Sequence, residues 1–183
     1  MERRFDYGIM TEIKQRWSPR AFSDKEVPEE VLLALLEAAR YAPSCANEQP
    51  WRFVVANKQD DLEKLRAVLD PGNQKWAHRA PLLILIAADK ITRSKGEHNR
   101  WNMFDAGTAW GFLSLEAQRR GLITHAMGGF NVEKARQAFQ ISDQYDLMTV
   151  IAVGYYGDKS ELSEFNQGRE HPNTRKEIKE LLI

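Results

Sequence analysis

The chain has 183 residues, and its 26 Lys and Arg balance its 26 Asp and Glu. That length suits a single domain over 1–183 with a real core, and no basic excess points to nucleic acid. Cys45 is the one cysteine, which excludes an intrachain disulfide and a cysteine-rich zinc site. The longest apolar run, Pro81 to Ala88, is far too short to span a membrane, and Glu2-Arg3-Arg4 opens no apolar leader. A reducing, cytoplasmic setting follows as the expectation.

Phe5, Ile9 and Ile13 recur every fourth residue and predict a helix over Phe5 to Gln15. Arg16-Trp17-Ser18-Pro19-Arg20 breaks it. Two guanidinium groups and a hydroxyl within five residues can hold phosphate oxygens, but they also suit an exposed turn with solvated arginines. Val27-Pro28-Glu29-Glu30 opens a second helix, with proline at the first position and acids facing the dipole. Val31, Leu32, Leu35, Leu36 and Ala39 give it an apolar face that ends near Tyr41.

Ala42-Pro43-Ser44-Cys45-Ala46-Asn47-Glu48-Gln49-Pro50-Trp51 comes next. Its two prolines stiffen it, and Ser44, Asn47 and Gln49 carry both donors and acceptors. Such groups can face a planar polar ring or simply bond their own turn. Arg52 to Ala56 reads as a strand, and Leu62, Leu65, Val68 and Leu69 mark a short helix. Asp70-Pro71-Gly72-Asn73 reads as a turn, followed by Trp76 and His78. Leu82 to Ala88 is an apolar run without alternation, which predicts a strand buried on both faces.

Ile91 to Asn102 is polar and charged and reads as a mobile loop. Met103 to Arg120 is a long helix with two apolar faces, predicted to be buried nearly all round. Gly121 caps it. In Met127-Gly128-Gly129-Phe130 the glycines let the backbone approach a ligand, and Asn131 is a candidate N-cap for a helix through Ala138. Leu147 to Tyr155 is a further strand. Asp158 to Pro172 reads as an extended arm, and Thr174-Arg175-Lys176-Glu177 as a capping box. The four histidines sit in polar stretches. No HExxH, no paired carboxylates and no GxGxxG appear, so any redox chemistry belongs to a cofactor rather than to a side chain or a Rossmann site.

The pairing of Arg16-x-Ser18-x-Arg20-x-Phe22 with Pro43-Ser44-x-x-Asn47-x-Gln49-Pro50-Trp51 resembles the FMN-dependent nitroreductase family. Gly128-Gly129-Phe130 and Val153-Gly154-Tyr155 extend the resemblance over nearly the whole chain. It implies an α+β fold with a central, mostly antiparallel sheet flanked by helices, dimeric, with an extended C-terminal arm. It implies FMN as cofactor and NADH or NADPH as reductant. Arg16, Ser18 and Arg175 would hold the phosphate, with Lys176 and Arg169 as alternates, and Trp17 would lie beside them. Arg20 and Asn73 would reach the pyrimidine edge. Gly128, flanked by Met127 and Gly129, would offer a main-chain N–H to flavin N5. Pro43, Ser44, Cys45 and Asn47 would close one side of the ring from the partner subunit. Trp76 falls where relatives carry a flavin-contacting lysine. A nitroaromatic or quinone would take the electrons in a ping-pong cycle. Other flavin chemistry on the same fold, such as dehydrogenation or dehalogenation, and a non-catalytic binding module remain as alternatives.

Overall fold

The unbroken apolar run after Pro81 forms the middle of the molecule. In a computed structural model of the chain, which describes residues 3–183, it becomes β2 (Leu82–Asp89). It pairs antiparallel with β1 (Trp51–Ala56) on one side and β4 (Tyr145–Gly154) on the other. β3 (Ile123–Met127) adds to β4, so the sheet order is β1-β2-β4-β3.

Side chains alternate across the sheet. Leu83, Leu85 and Ala87 pack beneath α3 (Gln59–Val68), α4 (Pro71–Ala77) and α6 (Val132–Ala138). Leu82, Ile84, Ile86 and Ala88 pack beneath α2 (Glu29–Arg40) and α5 (Asn102–Arg119). Helices cover both faces, which is why β2 shows no polar alternation. The expected α+β architecture with an antiparallel sheet is the one observed. Asn131 caps α6 by accepting from the Lys134 N–H at 2.8 Å, and Gly121 follows α5 at φ +75°. Among the described residues no helix is long and apolar enough to cross a membrane.

Four expectations change. Only Thr11–Gln15 (α1) of the first segment is helical, and Phe5, Ile9 and Ile13 stay exposed. Asp70-Pro71-Gly72-Asn73 is not a free turn but the start of α4: the Asn73 and Gln74 amides both donate to Asp70 O. α5 buries one face, through Ala106, Ala109, Leu113 and Ala117, while Phe104 remains 73% and Phe112 42% exposed. The Thr174 capping box does not form, and the Asn173 and Thr174 carbonyls accept from the Arg175 side chain. A box between Glu177 and Glu180 starts a single turn, Ile178–Leu181.

The segment 91–102 is tied down by its own bonds. Thr92 N–H donates to Glu97 O at 2.7 Å, Gly96 N–H to Thr92 O at 2.8 Å, and Ile91 bridges His98. Glu48 accepts from the Arg93 and Ser94 amides and the Ser94 hydroxyl. These bonds hold the turn against the loop that carries Glu48.

Candidate functional site

Past the end of α1 the chain runs without helix or strand through Arg16–Ala21, turning tightly where Phe22 N–H donates to Arg20 O at 3.1 Å, and the far end of β4 fixes it there. Phe22 bridges Tyr156, Ser23 N–H donates to Tyr155 O at 3.0 Å, and Gly157 N–H donates to Ala21 O at 2.9 Å. The residues after Gly168 return to the same place. Arg16, Trp17, Ser18, Arg20 and Arg175 thereby line one cleft of about 220 Å³, joined by Arg3, His125, Arg169, His171 and Asn173.

The charge in this cleft is one-sided. Burial lowers the pKa of Arg16, and neighbouring Arg3 and Arg175 lower it further. Arg20 is lowered by burial and by Arg169, with Glu170 opposing. Among the described residues the salt bridges fall on other basic side chains and leave these five arginines without a carboxylate partner. Clustered guanidinium groups with no ion-pair partner among the described residues, the nearby Glu170 carboxylate being bound to main-chain amides, are an anion site in physical terms.

A second cleft, about 1080 Å³, adjoins the first, since Arg3, Arg16, Ser18 and Arg175 line both. Its wall includes Trp110, Gly111 and Ser114 of α5 and Ala126 of β3. An anion pocket opening into a roomy, partly apolar cleft suits a ligand with a charged tail and a flat apolar body.

Asn73 and Gly129 also meet. Asn73 Nδ2 donates to Gly129 O at 2.9 Å, and Asp70 N–H donates to the same oxygen at 3.0 Å. A Cβ on Gly129 would lie 2.7 Å from Asp70 Oδ2 and 3.0 Å from Asn73 Nδ2, so any larger residue must displace those two side-chain ends. Gly128 next to it is exposed, with open space where a side chain would stand. Met127, beside Gly128, is a core residue at 2% exposure, and its carbonyl accepts from the Thr149 hydroxyl at 2.9 Å.

Pro43, Ser44, Cys45 and Asn47 line neither cleft of their own chain. Their loop is braced locally instead. Ser44 Oγ accepts from Gln49 N–H at 3.0 Å, and Cys45 N–H donates to Asp105 Oδ2 at 3.2 Å. Ala46, Asn47 and Gln49 all take positive φ, at 50°, 56° and 50°. Three non-glycine residues in left-handed backbone within four positions is stored strain of the kind found where side chains must be aimed.

Trp76 is a core residue rather than a stand-in for a ligand-contacting lysine. It is 2% exposed, near-parallel to Phe22 with ring centroids 6.1 Å apart, and 4.5 Å from the His125 ring. His125 packs its ring on Trp76 while lining the arginine cleft. Burial pushes its pKa down to about 4, so the ring is neutral near pH 7 and its Nδ1 donates to Pro19 O at 2.9 Å. Sequence reasoning missed His125, Arg3 and Glu170. Arg3 carried a faint signal as a cation near the chain start; it donates to Arg16 O at 2.7 Å.

The Nitroreductase family's sequence profile matches residues 13–70 and 62–155. An Archaeoglobus fulgidus protein named "Putative NADH dehydrogenase/NAD(P)H nitroreductase" is 28% identical over 167 residues, covering 87% of this chain and 94% of its own. A protein of the same name from Methanothermobacter thermautotrophicus is 32% identical over 152 residues, covering 80% of this chain and 76% of its own. A crystal structure described as an oxidoreductase containing FMN is 34% identical, with a TM-score of 0.94 over 99% of this chain and 93% of that one. Sequence profile, relatives and fold agree, and the chain belongs to the nitroreductase family.

Proposed function

We propose that residues 1–183 act as one FMN-binding domain of a cytoplasmic, NAD(P)H-dependent oxidoreductase that passes electrons to a nitroaromatic, quinone or similar acceptor by a ping-pong cycle. The observation that carries this reading is the cleft of five arginines, which form no salt bridge among the described residues, opening into a larger, partly apolar one. FMN, when bound, supplies the carrier that takes hydride from NAD(P)H and returns electrons to the acceptor. The relatives' names and the FMN of the 34% identical structure support the same cofactor and reductant.

The residues present fit that group. Arg16, Ser18 and Arg175 would hold its phosphate, each offering donors into one pocket. Asn73 gives one side-chain N–H to Gly129, which leaves a second N–H and its carbonyl oxygen for a polar ring edge. Arg20 lines the arginine cleft, whereas Asn73 and Gly128 line neither cleft, and the positive charge of Arg20 would favour negative charge on a reduced ring. The main chain at Gly128 is unshielded by any side chain of its own, so its N–H can reach a ligand. Trp110 and Ala126 contribute apolar wall that keeps water from the bound ring.

Two observations support a homodimer. α5 leaves Phe104 and Phe112 exposed on a face that none of the described residues covers, and large exposed aromatic faces mark interfaces. The strained Pro43–Asn47 loop lines neither cleft of its own chain, so a second copy is the natural source of that wall. The single exposed Cys45 suits a reducing compartment.

The test is the absorbance spectrum of the purified protein with FMN, before and after NADH or NADPH. A retained flavin band that bleaches with a pyridine nucleotide and returns with a quinone or nitroaromatic supports the reading. A protein that ignores added FMN, or a bound flavin that neither nucleotide reduces, overturns it.

A further inference from the structure

The peptide unit between Pro19 and Arg20 is held at both polar ends. Its carbonyl oxygen accepts from His125 on β3 at 2.9 Å. Its N–H donates to both oxygens of Glu170, at 2.9 and 3.0 Å, and the Ala21 N–H donates to Glu170 Oε1 at 3.0 Å. Glu170 lies 150 positions from Arg20 and is 7% exposed.

A buried carboxylate beside Arg20 and Arg169 would ordinarily pair with a guanidinium. Glu170 instead turns its oxygens to two main-chain amides. The consequences for an anion in the neighbouring cleft have opposite signs. Its charge repels an anion at short range. Its hydrogen bonds fix the peptide plane that leads into Arg20 and follows Ser18 across Pro19, and Ser18 and Arg20 both line that cleft.

We propose that Glu170 is a positioning residue for the arginine cleft, fixing the Pro19–Arg20 peptide so that Ser18, on the far side of Pro19, faces the phosphate of the bound flavin. This rests on the FMN reading above. Glu170 does not itself line the cleft, and it acts through the backbone of residues that do. His125 holds the other end of the same peptide, so the brace is anchored in the sheet on one side and in the C-terminal segment on the other.

The sign of one substitution decides between charge and geometry. Wild type, Glu170→Ala and Glu170→Gln are titrated with FMN and with riboflavin, which lacks the phosphate, by flavin fluorescence. Thermal stabilisation by inorganic phosphate is measured in parallel. Glu170→Ala weakens FMN about tenfold and riboflavin by less than about twofold, and it loses the stabilisation by phosphate. Glu170→Gln falls between, because its carbonyl oxygen can still accept from both amides.

FMN binding as tight as or tighter than wild type in Glu170→Ala overturns the proposal, since that is the outcome of charge alone. Equal weakening of FMN and riboflavin overturns it too, as general loss of structure. If Glu170→Ala does not fold, Glu170→Gln decides: an unchanged preference for FMN over riboflavin is fatal. If wild type itself shows no such preference, the flavin reading is what fails. The phosphate arm then judges the brace, and equal stabilisation of wild type and variant overturns it.

Discussion

The side-chain amide of Asn73 donates to the main-chain oxygen of Gly129 across 2.9 Å, which ties the start of α4 to the turn after β3. The two glycines of that turn therefore differ. Gly129→Ala must push aside the Asp70 carboxylate and the Asn73 amide, both side-chain ends that can move, and it loses about 1–2 kcal/mol by denaturant unfolding. Gly128→Ala meets open space and stays within about 0.5 kcal/mol of wild type. Equal costs at the two positions contradict this geometry.

Arg16→Ala removes a half-buried cation from the cleft, whereas Arg93→Ala removes an exposed one whose main-chain bond to Glu48 survives. FMN retention falls by a factor corresponding to about 1.5–3 kcal/mol in the first and hardly changes in the second. Equilibrium dialysis against FMN reads the difference. Raising ionic strength weakens FMN binding more than riboflavin binding, because only the phosphate contact is charged.

Acid destabilises the protein in two separable windows. His125 has its pKa lowered by burial from 6.5 to about 4. The unfolded chain therefore takes up a proton that the folded one refuses, and stability is full above about pH 6.5 and lost as pH falls toward 4. After partial solvent screening this amounts to about 2 kcal/mol, and His125→Gln removes that slope. Glu116 is held at about 2 by its hydrogen bond to Arg119, with Arg120 adding to it. Its contribution is present above the ordinary carboxylate range and is lost as pH falls from about 4.5 toward 2, by about 1 kcal/mol after screening. Melting temperature against pH, in wild type and in each single variant, separates the two.

Ala46→Gly is predicted to stabilise. Ala46 sits at φ 50°, ψ 23°, where a Cβ costs about 1–2 kcal/mol. Glycine relieves that cost and gives back about 0.5–1 kcal/mol in unfolded-chain entropy, for a net gain of about 0.5 kcal/mol. A loss of stability on chemical denaturation counts against the strained loop. If the strain aims Cys45 and Asn47 at a ligand, the stabler variant also binds flavin less tightly.

What was legible in the sequence is what local physics controls. Leu82 to Ala88 announced a strand covered on both faces because burial from either side removes polar alternation. Asn131 declared itself as a cap because its oxygen reaches an amide three residues on. The start of α4 was misread because Asp, Pro, Gly and Asn are also turn formers, and the helix is anchored downstream by the burial of Trp76. The arginine and glycine motifs showed which residue types matter, and the fold joined Arg16 to Arg175 and Asn73 to Gly129. Glu170 left no trace in sequence, since its partners lie 150 and 149 positions away.

The route of the chain after β4 has a practical corollary. Residues 158–168 hold exposed positions such as Lys159, Glu164 and Phe165, all upstream of Glu170 and Arg175. A single proteolytic nick there would leave every strand paired while detaching two supports of the arginine cleft. Limited digestion would then bleach the protein of its yellow colour well before circular dichroism registers unfolding.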